Sequence, residues 1–403
     1  MVKHFCCIAA VLAATANASS WADDWYRFRG PELSGISAET QWSHQWPASG
    51  PKIAWTAEVG TGFSSVSVSE NRLYTIGNEA NVDTIQCLNA QTGQAIWSHA
   101  YSSPTDPNEF EGGPTSTPTV DGDVVFTLSR SGDLFALDKM TGKVHWSQNV
   151  AIEADVRVPG WGFSGSPLVH DRLLILNVGD AGVAVDKKTG ELIWKSDDKD
   201  SGYSSAVPMS LGGRASVIFG SARSYVCVDA ASGEERWRQR WLTTFGCNAA
   251  DAIVSGHHVF LSSGYNRGSA LLDVSADSPS VVWKHKGFQN QMVSSLLVDG
   301  YLYGASGDVA SGARLTCMEM MTGDIRWSDD SIRVGALSAA GDRLIVISDT
   351  GQLVIARLSP ARFELLAQHQ VLDGKCWTAP VLAQGRIYCR SATGRIVCVD
   401  VEE

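Results

Sequence analysis

In this 403-residue chain the residues able to do chemistry are scattered, and few spacings could assemble them into a site. Metal-assisted proton or hydride abstraction needs a carboxylate base beside carboxylate and amide oxygen ligands. Asn248 and Asp251, three residues apart, come nearest. An odd spacing sets them on opposite faces of a regular strand, so they should not converge without a bulge. Asp308 lies between Gly307 and Val309 and could contact calcium, but it lacks acidic neighbours. His257 and His258 follow Gly256. Adjacent side chains diverge on a strand, so no shared metal is expected there. The chain shows no Ser/His/Asp arrangement and no phosphate-cradling glycine loop. No catalytic residue and no metal ligand is assigned.

Stacking on a ligand is better supplied. The chain holds 14 Trp, and most recur at a fixed place. Trp161 lies outside that place and is the first candidate for stacking, followed by Trp377. Arg157, Tyr203 and Asn248 complete the candidate ligand-binding set. Two long segments, 101–113 with Asp106, Glu109 and Glu111, and 149–162 with Glu153, Asp155, Arg157 and Trp161, could form a lid or a partner surface.

A repeat positions these residues. Its core reads Thr-Gly, three residues, then Trp: Thr92-Gly93 to Trp97, Thr141-Gly142 to Trp146, Thr189-Gly190 to Trp194 and Thr322-Gly323 to Trp327. Ser232-Gly233 to Trp237 is a variant, and Trp283 follows a degenerate turn near Asp277. From Trp55 the intervals are 42, 49, 48, 43, 46 and 44 residues. Before each turn come alternating and β-branched runs such as Leu134-Phe135-Ala136-Leu137-Asp138, which read as strands. Helical periodicity is nearly absent; residues 360–370 could hold one turn, and a degraded seventh copy sets Leu365 in the Trp slot. Four antiparallel strands per ~45 residues, repeated, predict an all-β propeller. The last unit stops at Asp400 without its outer strand, while 49–55 supplies one. The expected fold is an eight-bladed β-propeller of four-stranded antiparallel blades, its ring closed by the N- and C-terminal strands.

That register puts one mouth of the channel near Phe63-Ser64, Pro114-Thr115, Phe163-Ser164, Tyr203-Ser204, Cys247-Asn248, Met292-Val293, Val334-Gly335 and Trp377-Thr378. Aromatics mixed with hydroxyls suit a flat or carbohydrate-like ligand; equally, Ser and Thr could simply bond the crowded strand ends. Cys87, Cys227, Cys317 and Cys398 share one slot, filled by Ala136 and Ala184 elsewhere, and read as small core residues. Cys376 and Cys389 are the one plausible disulfide pair.

Residues 1–18 read as a secretory signal, with Lys3 and His4, an apolar run over 5–14, and Ala16-Asn17-Ala18 before the cleavage point. No later stretch approaches the ~20 apolar residues of a membrane span. The domain plan is signal 1–18, arm 19–48 and propeller 49–403, with a periplasmic or secreted location. The formal net charge of −11 gives no reason to expect nucleic acid or an anionic membrane as partner.

The string Leu-Asp-x-x-Thr-Gly-x-x-x-Trp, intact over 137–146 and varied over 185–194 and 228–237, closely resembles the PQQ-type β-propeller repeat. The resemblance covers roughly residues 50–403. Trp25-Tyr26-Arg27-Phe28-Arg29-Gly30-Pro31 also resembles the opening of many exported bacterial members. Its plainest reading is an arm packed on the side of the propeller through Trp25 and Phe28. The family includes quinoprotein alcohol dehydrogenases, which hold PQQ and calcium at the channel mouth, and the BamB scaffold, which has no cofactor. The chain has no adjacent Cys pair beyond Cys6-Cys7 and no Cys-x-x-Cys-His haem attachment, and its units are compact. The resemblance therefore implies a binding or assembly scaffold of the cell envelope with no cofactor and a protein or glycan partner. A PQQ- and calcium-dependent dehydrogenase acting on alcohols or sugars is the alternative.

Overall fold

The computed structural model describes residues 24–105, 110–276, 278–309 and 311–402. The expected signal segment, Asp106, Glu109 and Asp277 lie outside these. The described residues form an all-β chain of antiparallel sheets in the manner of a β-propeller: six sheets of four strands and one of eight. In the larger sheet the 16-residue strand Ile325–Ala340 pairs through its first part with Ala313–Glu319 and through its last part with Arg343–Ser348.

The repeat chemistry accounts for the sheets one by one. Asp138 accepts the amides of Met140 and Thr141, and Asp186 those of Lys188 and Thr189. Asp229 does the same for Ala231 and Ser232, and Asn89 for Gln91 and Thr92. These bonds close the hairpin before the outer strand. The Asp138, Asp186 and Asp229 carboxyls lie below their ordinary range, held there first by the Thr141 hydroxyl, the Lys188 amide and the Arg236 guanidinium in turn. A bulge follows, and the repeat Trp then stands opposite a small or apolar slot. Trp97 faces Cys87, Trp146 Ala136, Trp194 Ala184, Trp237 Cys227, Trp327 Cys317 and Trp55 Cys398. The shared cysteine slot is thus a packing site beneath an indole. In the weak unit the same place is held by Ala367 opposite Ile355, two residues beyond Leu365, and Leu365–Gln370 is a strand rather than a helical turn. The one α-helix among the described residues is Val150–Ala154.

The repeat indoles, Trp237 excepted, also bind the next sheet. Nε1 of Trp97 donates to Lys139 O at 3.0 Å, that of Trp146 to Lys187 O at 3.2 Å and that of Trp194 to Ala230 O at 3.1 Å. Trp55, Trp283 and Trp327 do the same to Ala90, Met320 and Ser359. The turn glycine lies against the preceding indole. A Cβ on Gly142 (φ +70°) would sit 2.5 Å from the Trp97 ring, so both conformation and space require glycine there.

The chain ends meet as expected. Lys52–Glu58 pairs antiparallel with Arg395–Asp400 from Lys52↔Asp400 to Glu58↔Arg395. The Lys52–Asp400 ion pair, at 2.8 Å with Lys52 largely exposed, adds at most about 1 kcal/mol. The backbone ladder and the buried Trp55 hold the closure.

The arm departs from its expected place. It lies across the hairpin face of the disc and into the axis, not on the side. Trp25 exchanges two backbone bonds with Val68, Tyr26 O accepts from Val120 N, and Ile36–Ser37 pairs in parallel with Ala339–Ala340. Asp24 bonds Ser69 and Gln384, and Glu39 accepts from Gly385 N. All these partners belong to innermost strands or the hairpins that follow them. Arg29 (φ 62°) and Gly30 (φ 76°) turn the chain back sharply. The Arg29 guanidinium is thereby carried inward to Leu33 O at 2.9 Å, Ser34 O at 3.0 Å, Ser294 O at 3.3 Å and Ser295 O at 2.8 Å, with Asp251 Oδ2 3.9 Å from Nε. The left-handed backbone at Arg29 costs on the order of 1–2 kcal/mol, which this set of bonds offsets.

Cys376 and Cys389, the one pair that could have bonded, do not; all seven described cysteines are free and buried. Burial pushes the Cys87, Cys227, Cys376 and Cys398 thiols up to about 12, as inert core groups.

Arg29→Met leaves Asp251 buried without its counter-charge and should cost roughly 3–5 kcal/mol of stability. Asp251→Asn in the same chain should recover part of that loss, a coupling visible in a double-mutant cycle of unfolding midpoints. Purely additive costs would show that the two charges do not interact.

Candidate functional site

The segments leading into the innermost strands gather at the mouth opposite the arm. Most of their hydroxyls are spent on the ring itself. Ser65 N donates to Thr117 Oγ1, Thr117 N to Ser166 Oγ, Ser166 N to Ser205 Oγ, Ser205 N to Asp251 Oδ1 and Asp251 N to Ser294 Oγ, all between 2.8 and 3.0 Å. Six successive innermost strands are thereby tied in a row by side chains. Asp251 is the single acid in this belt, and burial pushes its carboxyl upward while Arg29 pulls it back. Asn248 does not join it: its amide donates to Ser221 O and Trp241 O, and its Oδ1 accepts from Ser263. It is wholly buried and braces a loop.

Trp161 and Tyr203, both nominated from sequence, do meet, with ring centroids 5.7 Å apart. The 149–162 segment places Trp161. Asn149 caps Val150–Ala154 by accepting from Ile152 N, and Asp155 ends the helix in the left-handed region. Lys195 Nζ donates to Ala154 O at 2.9 Å, and Arg157 pairs with Asp200 at 2.7 Å. Arg157 is thus an exposed strut to Asp200.

Two further aromatics, not singled out by the repeat, extend the cluster. Phe245 stands edge-on to Trp161 at 5.8 Å, and Tyr265 edge-on to Phe245 at 5.8 Å. Phe245 is 68% exposed and holds φ at 62°. Tyr265 shares the left-handed region at φ 54°. A bulky, exposed aromatic in strained backbone points to function rather than packing. The one sequence signal was an irregular stretch between Trp241 and Asn248, ahead of the next innermost strand. Burial raises the Tyr203 phenol to about 12 and the Cys247 thiol beneath the cluster to about 11. The cluster can stack and donate hydrogen bonds, and Cys247 is no nucleophile.

Trp377 lies in a second, self-packed group. Phe63 stacks on it at 5.6 Å, Phe110 tilts against Phe63 at 5.6 Å, and Lys375 Nζ lies 4.5 Å from the Trp377 ring while pairing with Glu111 at 2.9 Å. Below it, the axis holds a cavity of about 80 Å³ bounded by Trp25, Phe28, Arg29, Met292, Ser338 and Trp377. Ligand pockets begin near 300 Å³. PQQ, a tricyclic tricarboxylate, does not fit there. The axial carboxylate that could serve calcium, Asp251, is taken by Arg29. A larger groove of about 750 Å³ beside it is lined by Glu58, Glu79 and Glu111 with Asn78, Asn81 and Gln86. Its acids repel a tricarboxylate, and Asn78 and Gln86 spend their amide donors on Asp83, Ser103 O and Val59 O.

His257 and His258 also differ from expectation. The hairpin turn bends His257 back, and the rings converge at 4.2 Å instead of diverging.

Among known proteins, residues 81–329 match the family model described as outer membrane protein assembly factor BamB. The BamB of Yersinia pestis is 22% identical over 373 residues, 86% of this chain and 88% of that protein. The Salmonella typhimurium BamB is 29% identical over 110 residues, 27% of this chain and about a quarter of its own length. A quinoprotein ethanol dehydrogenase of Pseudomonas aeruginosa is 26% identical over 178 residues, 40% of this chain and 28% of the enzyme. Among solved structures, BamB from Moraxella catarrhalis superposes with a TM-score of 0.65 at 15% identity, covering 87% of this chain and all but 1% of that one. The quinohemoprotein alcohol dehydrogenase of Comamonas testosteroni gives 0.67 at 14% identity, covering 93% and 80%. These likenesses show the fold, which scaffold and dehydrogenase share. With more than half its length matched by the family model, the chain belongs to the family described as outer membrane protein assembly factor BamB.

Proposed function

We propose that this chain is an exported eight-bladed propeller, cleaved near Ala18, that works without a cofactor as a binding scaffold in the bacterial cell envelope. Six four-stranded sheets and a larger sheet that can be counted as two blades sharing Ile325–Ala340 support that number. Among the described residues no helix is long and apolar enough to cross a membrane. The observation that carries the reading is Phe245, exposed and strained at the centre of the Trp161–Tyr203–Phe245–Tyr265 cluster. Such an edge anchors a protein partner by inserting into an apolar pocket, as interface hot spots do. The relatives named as assembly factors support a protein partner, and the acidic, amide-lined groove leaves room for a glycan beside it.

Phe245→Gly should separate stability from binding. Glycine takes the left-handed backbone without the roughly 1–2 kcal/mol penalty of a side chain, which offsets the lost ring contacts and the freer unfolded chain, so the variant should be about as stable as the wild type. A photo-crosslinking residue at 265 should trap a discrete envelope protein in the wild type and lose it in Phe245→Gly and Trp161→Ala. The same probe at Val281, on an outer strand, should trap none. Equal crosslinking in all three, or a large destabilisation by Phe245→Gly, would make the cluster structural.

The dehydrogenase reading is tested directly with PQQ and calcium. Equilibrium titration should show no saturable binding, and dye-linked alcohol oxidation no turnover. Micromolar binding with turnover would replace the scaffold by an enzyme.

A further inference from the structure

In two sheets the acid that caps the outer hairpin faces a cation: Arg172 pairs with Asp186 at 3.3 Å, and Arg236 with Asp229. Asp273 occupies the same capping place, accepting Ser275 N through Oδ1 at 2.8 Å, but it faces two imidazoles. His258 begins the strand His258–Ser263 and lies directly opposite Asp273 in the ladder. His257 sits in the turn after Gly256 (φ 60°), fixed by Val274 N donating to its carbonyl at 2.9 Å. The turn brings the two rings to 4.2 Å and sets His257 Nε2 at 3.8 Å from Asp273 Oδ2. One donor atom from each of the three lies within 4.8 Å of the other two.

We propose that His257, His258 and Asp273 bind a divalent transition cation of the zinc class. Two imidazoles and one carboxylate suit Zn²⁺, Co²⁺, Ni²⁺ or Cu²⁺ and are a poor set for Ca²⁺ or Mg²⁺, which take oxygen ligands. Bonds of about 2.0–2.1 Å in tetrahedral array put donors roughly 3.3 Å apart. Rotamer changes in these partly exposed side chains suffice to close that gap. The turn amide holds Oδ1, so Oδ2 is the ligand oxygen, and the bond to Ser275 orients the carboxylate from behind. Three protein ligands leave a fourth position for water or for a donor from another molecule. The site lies on the hairpin face, with the arm and opposite the aromatic cluster, so its loss should leave docking there untouched.

The test is titration of the full chain with Zn²⁺ alone by calorimetry, with Co²⁺ absorption as the spectroscopic reading of tetrahedral coordination. One ion per chain is expected. His257→Ala, His258→Ala and Asp273→Asn should each weaken binding by roughly tenfold or more. Asp273→Asn keeps the turn, because Asn89 caps the equivalent one, so its melting temperature should not change. His170→Ala, altering an imidazole that faces Asp171 alone, should bind like the wild type. Absence of saturable binding, or binding that survives the double change His257→Ala/His258→Ala, would overturn the assignment.

Discussion

A guanidinium at the centre of a ring of strands must be answered by the ring, because burial there removes it from water. Burial lowers the Arg29 pKa, and Asp251 opposes that shift. Charges taken out of water in this way cost several kcal/mol each unless their bonds are satisfied. Four carbonyls, two from the arm itself and two from Ser294 and Ser295, meet the donors. Asp251 supplies the opposite charge and is at the same time a link in the belt, accepting Ser205 N and donating its amide to Ser294. The arm and the belt are therefore one hydrogen-bonded system, and the axis is occupied by the chain's own side chains. A ligand is left with the faces of the disc.

Around that centre, stability and recognition fall to different residues. The outer indoles and the turn acids are used over and over: the acids close the hairpins, and most of the indoles bind the next sheet through a carbonyl. They carry the ring with little help from the loops. Left-handed backbone recurs in the hairpins of the blades, and at Phe245 and Tyr265 it also falls on the aromatic cluster. Rigid sheets over-determine such loops and keep strained aromatics presented to solvent at modest cost. Shared architecture thus accommodates both scaffold and dehydrogenase relatives.

Much of this was legible in the chain before folding. The Thr-Gly-x-x-x-Trp spacing located the outer hairpins, the common slot of Cys87, Cys227, Cys317 and Cys398 located the packing beneath the indoles, and the mismatched ends located the closure. These features are local and periodic, so one register explains all of them. The slip from Ala367 to Leu365 arose where the Trp that marks the register is missing. The arm's course was not legible, since the axis exists only once the ring has closed and Arg29 meets Asp251 more than 200 positions away. Strand alternation misled at His257, because a turn residue does not follow the period of two. Phe245 belongs to no repeat, and Asn248 looked available only because its three partners come from elsewhere in the chain.

Hydrogen exchange of the intact chain tests the central claim that the arm is part of the disc. The amides of Trp25, Val68, Val120 and Ala339 are all bonded across the arm–ring junction. They should exchange as slowly as the interior strands such as Arg343–Ser348. Exchange of the Trp25 and Gly35 amides at rates typical of unstructured chain, with the blade strands still protected, would show that the arm leaves the axis open and contradict the account.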